Sequence, residues 1–248
     1  DETLLDGQTG VSISYYESQE DADNATNVLD INYQNTVADT QTLYVRLEVD
    51  ETGCYATTTQ ELIVNPIPTV LVGPAYEVCD DDYDGIGSYN LSTLDETLLD
   101  GQTGVSISYY ESQEDADNAT NVLDVNYQNT ITDTQTLYVR LEVDETGCYA
   151  TTTQELIVNP IPTVLVGPAY EVCDDDYDGI GSYNLSTLDE TLLDGQTGVS
   201  ISYYESQEDA DNATNVLDVN YQNTIPDNQT LYVRLEVDET GCYATTTQ

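Results

Sequence analysis

Lysine, histidine, methionine, phenylalanine and tryptophan are all missing from this 248-residue chain, and its only basic side chains are Arg46, Arg140 and Arg234. Against 48 acidic residues they leave a net charge of −45. Phosphate backbones are held by clustered Arg and Lys, so nucleic acid is excluded as a natural partner. Anionic lipid surfaces are disfavoured for the same reason. Without His or Lys, the usual general bases and activated nucleophiles are not to hand. Carboxylate pairs could in principle serve a glycosidase, but a catalytic site copied unchanged into every unit of a repeat is unusual. The sequence therefore reads as a non-enzyme. No C-x-x-C and no His argue against zinc. No apolar run approaches the ~18–20 residues of a membrane span, and no signal peptide is visible. Few aromatics and high charge can mark disorder. Here 39% of residues are hydrophobic and they alternate regularly, which marks a folded chain.

What is present is a repeat. "DETLLDGQTGVSISYYESQEDADNATNVLD" begins at Asp1, Asp95 and Asp189, a period of 94 residues. Across the copies only four positions change: Ile31/Val125/Val219, Val37/Ile131/Ile225, Ala38/Thr132/Pro226 and Thr40/Thr134/Asn228. A period this long suits an independent small domain rather than a solenoid turn. "NPIPT" at Asn65–Thr69 and Asn159–Thr163 marks the boundaries, because proline stops a strand and stiffens a connector. The expected units are 1–65, 66–159 and 160–248, beads on a string. Both ends fall inside a unit, so the chain is expected to be a window on a longer array.

Within a unit the pattern is that of strands. "TLYVRLEVD" sets Leu43, Val45, Leu47 and Val49 on one face against Tyr44, Arg46 and Glu48 on the other. "DETG" then turns the chain into "CYATTTQELIV", giving a hairpin. "VSISYY" directs Val11, Ile13 and Tyr15 inward, and "SYNLSTL" at Ser88–Leu94 does so with Tyr89 and Leu91. "SQEDADNATNVL" at Ser18–Leu29 is read as a loop, with a helical turn as the lesser alternative. The whole predicts an all-β fold of tandem immunoglobulin-like β-sandwiches, with no helix longer than about two turns.

"CDDDYDGIG" stands at Cys79–Gly87 and again at Cys173–Gly181. Asp80, Asp82 and Asp84 offer oxygens at alternate residues, Gly85 permits a sharp turn, and the Ile86 carbonyl could point inward. Asp174, Asp176, Asp178 and Ile180 repeat the set. Alternate carboxylates followed by Gly make the first half of a calcium loop. The departure is at the twelfth position, where Leu91 replaces the bidentate Glu of an EF-hand. Two readings stand, calcium or a solvated acidic turn, and calcium is preferred because it would relieve the local repulsion. The other acidic clusters read as solvated loops whose like charge keeps an array extended.

The five cysteines fall into two classes, loop (Cys79, Cys173) and hairpin (Cys54, Cys148, Cys242). Within a unit, Cys79–Cys148 and Cys173–Cys242 would each close about 70 residues. Across the connector, Cys54–Cys79 and Cys148–Cys173 would each close about 25. The within-unit pairing is preferred, as a staple for a small core.

Taken together and in order, "CDDDYDG…YNLST", "ISYYESQEDADNAT", "YQNT", "TLYVRLE", "TGCYATTT" and "ELIVNPIP" resemble the tandem repeats of giant surface adhesins of Bacteroidota. These include the SprB type of gliding-motility adhesin exported by type IX secretion. The resemblance implies an extracellular, cell-surface filament whose repeats act as a stalk, each partnered by its neighbours. External surfaces or glycans would be met by a tip outside this sequence, with no direct membrane insertion. The alternative is that each repeat is a glycan-binding module acting by avidity. Lateral assembly of chains into a thicker filament is a third possibility.

Overall fold

A computed structural model describes residues 7–174 and 177–248. Its strands are β1 (Val11–Tyr16), β2 (Thr40–Val49), β3 (Tyr55–Ile63), β4 (Tyr76–Cys79), β5 (Ser88–Asn90), β6 (Val105–Tyr110) and β7 (Asn126–Gln128). They continue as β8 (Thr134–Val143), β9 (Tyr149–Asn159), β10 (Ser182–Asn184), β11 (Val199–Tyr204), β12 (Asn220–Gln222), β13 (Tyr232–Val237) and β14 (Tyr243–Thr247). Five short α-helices intervene among the described residues: α1 (Gln19–Asn24), α2 (Asp95–Leu99), α3 (Gln113–Asn118), α4 (Asp189–Leu193) and α5 (Gln207–Asn212). The fold is all-β and sandwich-like, as the alternating pattern predicts.

Contacts divide the chain into two compact units. One comprises Asp1–Pro68 with Val143–Cys148, the other Thr69–Glu142 with Tyr149–Gln248. In the first, β1, β2 and β3 form an antiparallel sheet. The second unit holds two copies of the repeat. The earlier copy is the more complete, with a four-stranded sheet in the order β4-β9-β8-β6 beside a two-stranded β5-β7 sheet. Leu137, Val139 and Leu141 of β8 and Leu156 and Val158 of β9 are buried against Tyr89, Leu91 and Tyr127. That is the period-2 face read from the sequence.

One register decides where the strand ends lie. β4 runs parallel to β9, with Tyr76 opposite Leu156 and Cys79 opposite Asn159. In the later copy a cleft of about 490 Å³ is lined by Tyr170, Tyr183, Leu188 and Leu231 among others.

Two expectations need correction. Ser18–Leu29 is not a loop throughout: α1 occupies Gln19–Asn24, and α3 and α5 repeat it. The Ser18 side chain caps it by accepting from the Asp21 amide, and Ala25 closes it in the left-handed region at φ 52°. The decisive partner is remote. Arg46 Nη1 donates to the carbonyls of Ala22 and Asp23 at 2.9 and 3.0 Å, satisfying the orphan acceptors of the helix end. The second correction concerns "SYNLSTL". β5 stops at Asn90, whose side chain caps a 3₁₀ turn over Leu91–Leu94. Tyr89 and Leu91 are nevertheless buried as expected.

The helix also explains why both faces of "VSISYY" are covered. Tyr109 enters the core, while Tyr110, its neighbour on the opposite face, is 1% exposed. All three arginines are structural. Arg140 pairs with Glu142 through Nη2 at 2.6 Å and stacks 3.4 Å over the Tyr149 ring. Arg46 and Arg234 repeat the arrangement on Tyr55 and Tyr243.

Candidate inter-repeat joint

The acidic loop folds around one of its own carboxylates. Asp80 is 7% exposed. Its Oδ1 accepts from the amides of Asp82 and Tyr83, and its Oδ2 from that of Gly85 at 3.0 Å. Burial alone would raise the Asp80 pKa, but the amide bonds from Gly85, Asp82 and Tyr83 outweigh it and hold the carboxyl below its ordinary value. The backbone pays for this tight wrap with two residues in the left-handed region, Tyr83 at φ 69° and Gly85 at φ 74°. A Cβ on Gly85 would also meet Asp133 Oδ1 at 2.8 Å, so only glycine fits. Asn129 ties the loop to the sandwich, accepting from the Gly87 amide and donating to the Gly85 carbonyl.

Asp82 and Asp84 are exposed, and with Asp80 they bring carboxylate oxygens within 4.8 Å of one another. Burial and then the Asp84 charge push the Asp82 pKa up. The expected metal set is thus drawn together in its three carboxylates, and hard oxygens suit calcium. Two observations weigh on that reading. Both Asp80 oxygens already accept amides, and Ile86 gives its N–H to Asp84 Oδ1 at 2.7 Å. In the later copy Asp174 Oδ1 and Oδ2 accept from Tyr177 and Gly179, and Asp178 Oδ1 accepts from Ile180. Asp176 lies outside the described residues.

The loop meets the next repeat. Tyr83 donates from its hydroxyl to the carbonyl of Pro162, in the "NPIP" connector, at 2.8 Å. The Asp80 amide donates to the Asn159 carbonyl at the end of β9, and Asn159 donates to Glu77. Above all, Cys79 forms a disulfide with Cys242, 163 residues away, with Cα atoms 5.5 Å apart.

This overturns the expected pairings Cys79–Cys148 and Cys173–Cys242, and the across-connector alternative with them. Cys54, Cys148 and Cys173 are free thiols. The reason is the β4–β9 register. Cys79 sits beside Asn159, at one end of β9, whereas Cys148 precedes Tyr149 at the other. Eleven residues of β9 at ~3.3 Å each put roughly 33 Å between them, and a disulfide needs Cα atoms within about 7 Å. Loop and hairpin cysteines of one repeat stand at opposite poles. The loop of one repeat meets the hairpin of the next.

The chain matches a sequence family three times, at residues 1–68, 75–162 and 169–248, and that family is described as the Flavobacterium inter-domain disulphide bond domain. The chain belongs to this family. Cys79 lies in the second inter-domain disulphide bond domain and Cys242 in the third, so their bond is of the kind the family is described by. No curated protein sequence matches. Among solved structures, an endo-fucoidan hydrolase of glycoside hydrolase family 107 is 9% identical at a TM-score of 0.18, covering 86% of this chain and 33% of that one. The zebrafish RET cadherin-like domains 1 to 4 are 11% identical at a TM-score of 0.19, covering 99% and 66%. The chain spans about a third of the hydrolase it is compared with. Likenesses this low bear on neither fold nor activity.

Tyr83, Asn129 and Asn159, all part of the joint, escaped the sequence reading. The one local signal was Tyr83 itself, an aromatic inside an aspartate run that the metal reading leaves idle.

Proposed function

We propose that these repeats are the stalk of an extracellular filamentous adhesin of a bacterium of the Bacteroidota, of the kind used in attachment or gliding and exported by type IX secretion. The stalk is non-enzymatic and held at each joint by a covalent bond. The observation that carries the reading is Cys79–Cys242, which ties two consecutive repeats. Such a bond persists outside the cell, where thiols are not kept reduced. Among the described residues no helix is long and apolar enough to cross a membrane. The test is peptide mapping under non-reducing conditions, after free thiols are blocked, together with surface labelling of intact cells. Recovery of Cys79 joined to Cys242 from surface-exposed protein is expected. Cys79 recovered as a free thiol, or protein confined to the cytoplasm, would remove the reading.

Calcium is proposed at the same joint, held by Asp80, Asp82 and Asp84 and their third-repeat counterparts. Bound there, it would add positive charge where like charges crowd. At a hundredfold excess over its dissociation constant it would stabilise the fold by about 2.7 kcal/mol. Melting with calcium and with chelator, beside Asp82→Asn/Asp84→Asn, tests this. An unchanged melting temperature on chelation leaves an acidic turn closed by its own Asp80.

A further inference from the structure

We infer that the joint's disulfide is a tension shunt, which takes the cores of two consecutive repeats out of the load path when the chain is pulled from its ends. The inference rests on the stalk reading and adds to it what the bond does under load.

Force applied at the ends of a chain follows the shortest covalent route. Here that route leaves the backbone at Cys79 and rejoins it at Cys242, so residues 80–241 hang as an unloaded loop. The loop holds most of both cores in the second unit: Leu91, Leu137 and Leu156 of the earlier copy, and Leu185, Val233 and Leu235 of the later one. It also holds the connector Asn159–Thr163. What stays under load in this unit is the segment leading through β4 to Cys79, and the segment from Cys242 through β14.

The alternative pairings would not do this. Within-repeat bonds would bypass 69 positions twice (79 to 148, 173 to 242) and leave the connector bearing the load. Bonds across the connector would bypass 25 positions (148 to 173) and leave the cores bearing it. The observed pairing shields cores and connector together. Cys242 is 1% exposed while Cys79 is exposed, so thiols that would open the bond by exchange meet it from the Cys79 side.

In an array of such repeats the same bond at every joint makes two interleaved threads. Each thread runs 25 positions between one bond and the next, the spacing of Cys148 and Cys173, along one strand of β9 type and one proline connector. The threads, not the cores, then limit how far the array can lengthen.

The experiment is single-molecule extension of the full chain held at residues 1 and 248, in its oxidised state and after reduction. Cys54→Ser/Cys148→Ser/Cys173→Ser keeps the bond and prevents exchange, and Cys79→Ser removes it. Oxidised chain is expected to stop at the length of the 79 residues up to Cys79 plus the seven from Cys242 onward, roughly 280–310 Å at ~3.3–3.6 Å per residue. Reduction, or Cys79→Ser, is expected to add the 163 bridged steps, roughly 540–590 Å. Length released instead in portions of 69 positions would place the bonds inside repeats, and both the joint and the shunt would fall. If peptide mapping recovers Cys79–Cys242 while the oxidised chain still extends as far as the reduced one, the bond does not hold under load. The shunt is then overturned and the stalk reading stands.

Discussion

Replacing Arg140 should unseat the helix that covers the outer face of the sheet, and the size of the effect is set by its partners. Its Nη1 serves the Ala116 and Asp117 carbonyls at 2.9 and 3.1 Å, and its Nε and Nη2 serve Glu142. The Glu142 side chain is 39% exposed, so that ion pair is screened and contributes no more than about 1 kcal/mol. The two carbonyl bonds are different. A hydrogen bond from a charged donor contributes about 1.5–3 kcal/mol, and stacking on Tyr149 adds about 0.5–1 kcal/mol. Summed over both bonds and the stack, Arg140→Ala should therefore cost about 3.5–7 kcal/mol. At ~4–8 °C per kcal/mol for a domain of this size, the melting transition of that repeat should fall by more than about 12 °C. Arg140→Lys keeps the charge but loses the planar fork, and should recover only a minor part of the loss. The assay is thermal melting of the full chain in low and in molar salt. A loss below about 1 kcal/mol, or one that salt abolishes, would refute the reasoning, because it would mean that the screened ion pair and not the carbonyl bonds held the helix.

Two further outcomes are expected. Asp80 is held ionised by its amide partners, as Asp115 and Asp209 are by Ser112 and Ser206 first and then by neighbouring Asn and Thr side chains. Depressed carboxylates stabilise fully above their unfolded value of ~3.9, and that contribution drains away as pH falls through the folded value. Melting temperature should thus drop steeply below about pH 4, and less steeply in Asp80→Asn; equal slopes would count against the loop's role. Leu156→Ala, at a fully buried position, should cost about 2–5 kcal/mol, whereas Leu62→Ala at the half-buried first-repeat counterpart should cost well under half of that, both read from urea midpoints.

Much of the fold was legible because it is written locally. Alternation in "TLYVRLEVD" places Leu137, Val139 and Leu141 inward. What escaped depends on partners far off in the chain. α3 is only six residues long, and half of them are Asp or Asn, which are weak helix formers; its closing donor, Arg140, lies 24 residues on from Ala116. The joint escaped for a related reason. Cysteine spacing gives loop sizes but not poles, and the poles are set by the parallel pairing of β4 with β9, which no local pattern announces. The acidic run was legible as a tight turn needing compensation. Its own Asp80 provides part of that by gathering amides, a role that oxygen spacing alone does not distinguish from a ligand.

Near-identical neighbours carry a hazard, because any loop cysteine could meet any hairpin cysteine and any strand could exchange with its copy. The structure limits both by geometry. β9 acts as a ruler, holding the two cysteines of a repeat about a strand's length apart so that neither can close on the other. Asp80 fixes the loop from within, and Tyr83 then anchors it to the connector at Pro162, so that Cys79 is delivered at the pole facing the next hairpin. The net charge of −45 acts in the same direction, since like-charged flanks repel within a screening length of about 8 Å. End-to-end contact, where a short connector forces neighbours together, is then favoured over lateral contact. One repeat with two cysteines at opposite poles is therefore enough to specify a joint without any difference between copies.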